Sequence, residues 1–327
     1  MFYVNMIIDK KSLEILYYLN VYSRMNLVDI GHKVHLKKNT ISYKINRLIK
    51  QGIIKNFYTY IDAYRLGYIS FRFYVSYQYT TPEIEDKILS YFLSDENVWR
   101  LISVQGRYDL GVTLWVKDTN SFYSFWKKTM DEFGDYLTDR TFSACIQSYD
   151  YPFSFLSMEQ FNTNNRGILE MTGRGKTVDI EDVDFKLLKI ISNNARMSYT
   201  KIAKQLNVSP TMVSYRMKKL EERGVIQGYG TAMDVSKIDY GHYKVDIYLR
   251  DHRKRNEIIN YLKSNPHLIH IGTSAGVSDV EVEFVVKRID EVFTIMTDIV
   301  KRFPNVIRNY KHFIIKNVHK LNYMPSK

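Results

Sequence analysis

Two short stretches carry the residue types best suited to contact a polyanion. One is Lys37, Lys38, Asn39, Thr40, Ser42, Tyr43, Lys44, Asn46 and Arg47; the other is Ser209, Pro210, Thr211, Ser214, Tyr215, Arg216, Lys218 and Lys219. In the second stretch Val213, Met217 and Leu220 recur at i, i+4, i+7, so they share the apolar face of a helix and turn inward. Thr211, Ser214, Tyr215 and Lys218 are left on the opposite face, with Lys219 to the side. Hydroxyls and a phenol meet base edges or phosphates, and lysines neutralise phosphate charge. In the first stretch the same positions are Asn39, Ser42, Tyr43 and Asn46, flanked by Lys44 and Arg47. An asparagine there can pair bidentately with adenine. Arg216 lies on the shoulder of the core face, where stacking on its own domain and phosphate contact are both open to it.

The elements that position these residues occur twice. Residues 10–62 and 182–234 repeat one pattern at a constant offset of 172. That spacing means a duplicated domain pair, since solenoid repeats have periods of roughly 20–50 residues. In the second copy Val183, Leu187, Leu188, Ile190 and Ile191 mark a first helix, and Ser198 caps a short one carrying Ile202, Ala203 and Leu206 inward. Ser209 caps a third helix with Pro210 at its first position, and Gly224 ends it. Residues 225–226 and 232–233 flank the polar tip 227–230, which predicts a small β-wing. In the first copy Asn26 and Gly52 replace Ser198 and Gly224, while Lys37-Lys38 replaces Ser209-Pro210. The third helix there is therefore predicted to start later, capped by Asn39. Each copy reads as a winged helix-turn-helix.

After each head the rhythm changes to strand, helix, strand, strand, helix, strand. In the first half the segments are 71–77, 81–94, 98–104, 110–116, 121–133 and 141–149; in the second they are 243–249, 253–264, 269–274, 280–286, 290–302 and 306–316. The order βαββαβ predicts a ferredoxin-like sandwich. The fold class is α+β, with heads at 1–67 and 179–239, sandwiches at 68–156 and 240–327, and a flexible linker at 157–178.

A winged helix-turn-helix followed by βαββαβ, with a Gly-x-x-Asp turn, resembles the Lrp/AsnC (feast/famine) transcription regulators. The residues that carry the resemblance are 184–188, Ile202-Ala203, 209–221 and 224–226, with a partial match at 40–45 and 52–54. Ordinary members carry one unit and pair as dimers, so the resemblance implies a covalent pseudo-dimer that binds double-stranded DNA as a regulator. It also implies an amino-acid effector near Gly106 and Asp109, and near Gly276 and Asp279. As bare chemistry, a glycine turn with one acid is ordinary hairpin geometry. Self-association through the sandwiches, within or between chains, is implied in the same way.

Charge supports a polyanionic partner without choosing between nucleic acid and membrane: the chain of 327 residues has a net charge of +12. The heads differ, with 10 basic against 4 acidic residues in 1–62 and 9 against 7 in 179–234. The sandwiches differ more, at −4 for 68–156 and +6 for 240–327, which suggests that they attract each other. No run approaches the roughly 18 apolar residues of a membrane span, and Met1 to Ile8 is too short for a signal peptide. A single cysteine, Cys145, points to a reducing cytoplasm and to a packed strand position rather than a nucleophile. The histidines show no metal spacing, so no metal, cofactor or catalytic residue is expected. Two alternatives stay open. One is a winged helix used as a protein-interaction module. The other is a sirohaem decarboxylase, an enzyme class that resembles the same two-unit plan. Such enzymes carry Asn-Tyr-x-Arg and Asn-x-Trp-Phe-Thr stretches, whereas 97–102 here reads Asn-Val-Trp-Arg-Leu-Ile and 270–274 reads His-Ile-Gly-Thr-Ser.

Overall fold

The computed structural model describes residues 8–157, 159, 161, 167–173 and 175–327. The first head starts with α1 (Lys10–Val21), whose N-terminus is capped by Asp9 accepting from Ser12 N at 3.0 Å. Helix α2 (Leu27–Val34) is capped by Asn26 and ends at His35 in the left-handed region. Helix α3 (Lys38–Lys50) begins earlier than its lack of a cap suggested: Lys37 occupies the cap position with no side-chain bond, and Asn39 lies inside the helix. Burial of Ile41, Ile45 and Leu48 sets its register and outweighs the missing cap. Strand β1 (Ile54–Ile61) follows. The sandwich contains β2 (Ile69–Tyr77), α4 (Pro82–Ser94), β3 (Val98–Gln105), β4 (Leu110–Val116), α5 (Thr119–Phe133) and β5 (Leu137–Asp150). The expected linker is not wholly irregular. Strand β6 (Leu169–Thr172) pairs with Gln147–Asp150 of β5.

The second half repeats the plan. Its head has α6 (Asp182–Ser192), α7 (Tyr199–Leu206), α8 (Pro210–Glu222) and β7 (Ile226–Met233). Ser198 and Ser209 cap α7 and α8 as expected, and Gly52 and Gly224 end the third helices at φ of 69° and 68°. The sandwich has β8 (Gly241–Leu249), α9 (Arg255–Leu262), β9 (Leu268–Ala275), β10 (Val280–Val286), α10 (Ile289–Arg302) and β11 (Ile307–Leu321).

The predicted wing hairpin is replaced by a different pairing. Residues 226–233 form one strand, and it runs antiparallel to β1 of the other head. The glycines of the supposed tip make room instead of turning the chain. A Cβ on Gly230 would collide with the Tyr58 ring, and one on Gly228 with Leu169. Matched contacts lock the heads together. Arg24 donates to the carbonyls of Ala195 and Met197, and Arg196 to those of Ser23 and Met25. Thr59 donates to Ile191 O and Thr231 to Leu19 O, both at 2.7 Å.

The sandwiches merge as well. Their strands form one sheet, β2-β4-β3-β11-β8-β10-β9-β5-β6, and β5 returns to pair with β2, closing a barrel. Two long strands make the closure. Strand β5 pairs with β2 through 137–145 and with β9 through 144–150; β11 pairs with β8 through 307–314 and with β3 through 314–321. Charged side chains are buried on its inner side. Glu281 takes Arg72 and, at 2.9 Å, Lys244, which also binds Asp246; Glu283 takes Arg100 and His242, each at 2.8 Å. Burial opposes the charged form of both glutamates, yet the neighbouring cations hold the carboxyls well below the usual range. The local polarity is the reverse of the net charges. The arginines come from the acidic half and the glutamates from the basic half, so contact pairing, not net attraction, matches the halves.

Candidate nucleic-acid interface and the cavity behind it

The exposed faces of α3 and α8 follow from their apolar stripes. With Ile41, Ile45 and Leu48 buried, α3 shows Lys37, Lys38, Asn39, Tyr43, Asn46 and Arg47 to solvent, with Thr40 and Ser42 half-buried. With Val213, Met217 and Leu220 buried, α8 shows Ser209, Pro210, Thr211, Tyr215, Lys218 and Lys219, with Ser214 half-buried. Tyr43 and Tyr215 are 66 % and 62 % exposed, comparable with Tyr79 at 88 % and Tyr123 at 64 % elsewhere in the chain. The exposed Lys218 lies 3.7 Å from Glu222 on its own helix, and two residues of the set are held by acids at the start of the first helix of their head. Lys44 reaches Asp9 at 2.8 Å, and Arg216 reaches Glu181 and Asp184 at 2.9 Å each. They are equivalent positions in the repeat, and each ties the third helix to the start of the first helix of its head. Burial disfavours ionised Asp9, but the hydrogen bonds from Lys44 and Ser12 hold its pKa down at about 2. These cations anchor the helix and have little left for phosphate.

The glycine–acid turns are also occupied. Asp109 accepts from Tyr77 N at 2.8 Å and Asp279 from Leu249 N at 2.7 Å. Gly106 and Gly276 have φ of 138° and 156°, and each abuts the long strand of the opposite half. A Cβ would come to 3.1 Å from Phe313 Cβ in the first case and 2.6 Å from Phe142 O in the second. Cys145 lies on β5, where burial pushes its thiol up.

A feature outside the sequence expectations lies between the heads and the barrel: a cavity of about 480 Å³. Lys55, Asn56 and Tyr58 of β1 and Thr231 to Met233 of β7 line it from the heads. Trp99, Arg100, His242, His270, Glu283, His319 and Tyr323 line it from the barrel side. Asp150 accepts from Tyr60 and, at 3.1 Å, from His270; His319 pairs with Ser103 at 2.7 Å. Burial, and then the charge of Lys55, lowers the pKa of His319. A sequence signal existed. At the offset of 170 that relates the central strands, Trp99 and Trp115 stand opposite Ile269 and Val285. The tryptophans pack with Tyr64, Tyr323 and Met171 and leave only about 30 Å³ on their side, Trp99 and Tyr323 also facing the large cavity, whereas the two smaller residues leave space.

Paired helix-turn-helix heads with outward polar recognition faces define a DNA-binding protein, and comparison with known proteins agrees. A winged helix-turn-helix DNA-binding family matches residues 8–55 and 180–227. An uncharacterised HTH-type transcriptional regulator from Pyrococcus furiosus is 31% identical over 103 residues, 32% of this chain and 70% of that protein. The HTH-type transcriptional regulator LrpA from Pyrococcus horikoshii is 43% identical over 61 residues, 19% of this chain and 43% of its own length. The chain therefore belongs to the Lrp/AsnC-type HTH transcriptional regulators, with two units fused in tandem. Over its whole length its fold is similar to that of the siroheme decarboxylase NirDL, with a TM-score of 0.61 at 12% identity, covering 97% of this chain and 94% of that one. No helix among the described residues is long and apolar enough to cross a membrane.

Proposed function

We propose that this regulator reads duplex DNA sequence-specifically in the cytoplasm, as a covalent pseudo-dimer with two unequal heads. The observation that carries this reading is the β1–β7 pairing, which fixes two differently surfaced recognition helices in one rigid frame. Lys37-Lys38-Asn39 faces one half-site and Ser209-Pro210-Thr211 the other, so the operator is an imperfect palindrome. If each head neutralises about four phosphates, log K falls against log salt with a slope near −7. Selection from random duplex DNA, repeated with Tyr43→Ala and Tyr215→Ala, tests the reading. Absence of binding even at low salt overturns it. We assign the turns at Gly106/Asp109 and Gly276/Asp279 to barrel closure; heat on titration with a panel of amino acids, lost in D109N or D279N, would return them to effector binding.

A second reading, an enzyme acting on a tetrapyrrole, draws on the whole-chain fold likeness to NirDL and on the three histidines facing one cavity. A Soret band retained by the protein after incubation with an iron tetrapyrrole and gel filtration would favour it. The regulator reading predicts no retained colour.

A further inference from the structure

We propose that the cavity between the heads and the barrel is a one-sided effector site for a planar aromatic carboxylic acid without an amino group. The inference rests on the DNA-binding reading for its regulatory consequence, but not for the binding itself.

Size and lining set the class. About 480 Å³ is within the range of small-molecule sites. Tyr58, Trp99, Tyr151, Phe153 and Tyr323 supply aromatic surface for a flat body. The polar groups then select its charge. Both carboxylates are already satisfied, Asp150 by Tyr60 and His270, and Glu283 by Arg100 and His242. A ligand ammonium would have to displace those donors to reach either acid. Lys55 is different. Its one ion pair among the described residues, to Asp234, is long at 3.9 Å, and its side chain is 40% exposed. It is the cation with capacity left for a ligand carboxylate. Its counterpart in the other half, Gln227, turns back to bond Gly224 O at 2.9 Å.

The site is large on one side of the pseudo-twofold because Trp115, with Trp99 that also lines this cavity, narrows the space on the other to about 30 Å³. Its wall includes β1 and β7, the strands that hold the two heads in register. A ligand packed between these strands and the barrel thus reports directly on head geometry. Gly167 and Ile168, exposed just ahead of β6, form part of its rim.

Calorimetric titration of the full chain without DNA tests the binding. Indole-3-acetate and 4-hydroxyphenylpyruvate should bind, tryptophan much more weakly, and tryptamine not at all. Lys55→Gln should weaken the acids by about tenfold or more. Ile269→Trp, which copies the narrowed side, should abolish their binding; if that variant fails to fold, Lys55→Gln alone decides. Saturating acid should change operator affinity by about 5- to 150-fold in mobility-shift assays. Tryptamine binding as well as the acids, or the acids being insensitive to Lys55→Gln, overturns the proposal. Retention of uroporphyrin III with no response to the aryl acids overturns it in favour of the tetrapyrrole reading. No binding of any probe by a chain that still shifts DNA overturns it while leaving the regulator reading intact.

Discussion

Replacing Arg72 by Met tests whether the two halves are matched by their buried charges. The cluster of Arg72, Lys244, Glu281 and Asp246 is neutral as a whole, and its side chains are between 1% and 10% exposed. Removing Arg72 leaves one excess negative charge inside the barrel, with Lys244 alone between two carboxylates. At 2.9 Å and an effective dielectric of about 20, one such contact is worth about 6 kcal/mol of Coulomb energy, set against several kcal/mol of desolvation per ion. Loss of one partner should therefore cost about 3–5 kcal/mol. Glu281→Gln should cost a similar amount, because Arg72 then faces no acid. The double variant removes one charge of each sign and should cost clearly less than the sum, with a coupling of about 2–3 kcal/mol. Urea unfolding followed by far-ultraviolet circular dichroism measures all four corners of the cycle. Single variants that each cost under about 1 kcal/mol, or costs that simply add, would refute the reasoning.

Four other outcomes follow from the geometry. Burial pushes the Asp62 carboxyl up to about 6, against the pull of the Thr172 and Tyr64 amides. Its folded value lies above the unfolded one, so its favourable contribution is complete below about pH 4 and lost as pH rises through 6. By pH 8 the loss is about 3 kcal/mol, and Asp62→Asn should flatten the stability profile across pH 4–7 in chemical denaturation. Lys38→Ala and Lys218→Ala should each flatten the salt slope of DNA binding by about one unit. Tyr43→Ala and Tyr215→Ala should weaken specific binding about tenfold with melting unchanged, while Arg216→Ala should lower the melting temperature instead. Gly230→Val should destabilise by roughly 1–3 kcal/mol through the Tyr58 ring, and adding Tyr58→Ala should restore much of it in thermal melts.

The heads were legible because their signals are local. Apolar residues at helical spacing, Ser198 and Ser209 as caps, and glycines at 52 and 224 each act within a turn or two of chain. What local patterns leave open is strand partnership. Residues 226–233 carry the same glycines whether they turn back or run on, and the partner that they meet, the strand Ile54–Ile61 of the other head, is distant in sequence. The barrel charges were hidden for a related reason. The alternation Val280-Glu281-Val282-Glu283-Phe284 reads as a strand with one wet face, yet every residue in it is buried because the sheet closes on itself. The exposed faces of the third helices follow from the apolar stripes of those helices alone. The ion pairs of Lys44 and Arg216 needed the position of the first helix, and the cavity needed the two halves compared strand by strand.

The exchange of strand ends has a consequence for how the molecule can be made. The edge of β3 in the first half is covered only by residues 314–321, near the far end of the described chain. During synthesis that edge emerges early and waits bare while the whole second half is translated, a template for pairing with any other extended segment. The first half is thus complete in sequence long before it is complete in hydrogen bonds. A ribosome that stalls anywhere in the second half leaves a nascent chain whose greatest hazard lies in the part already made.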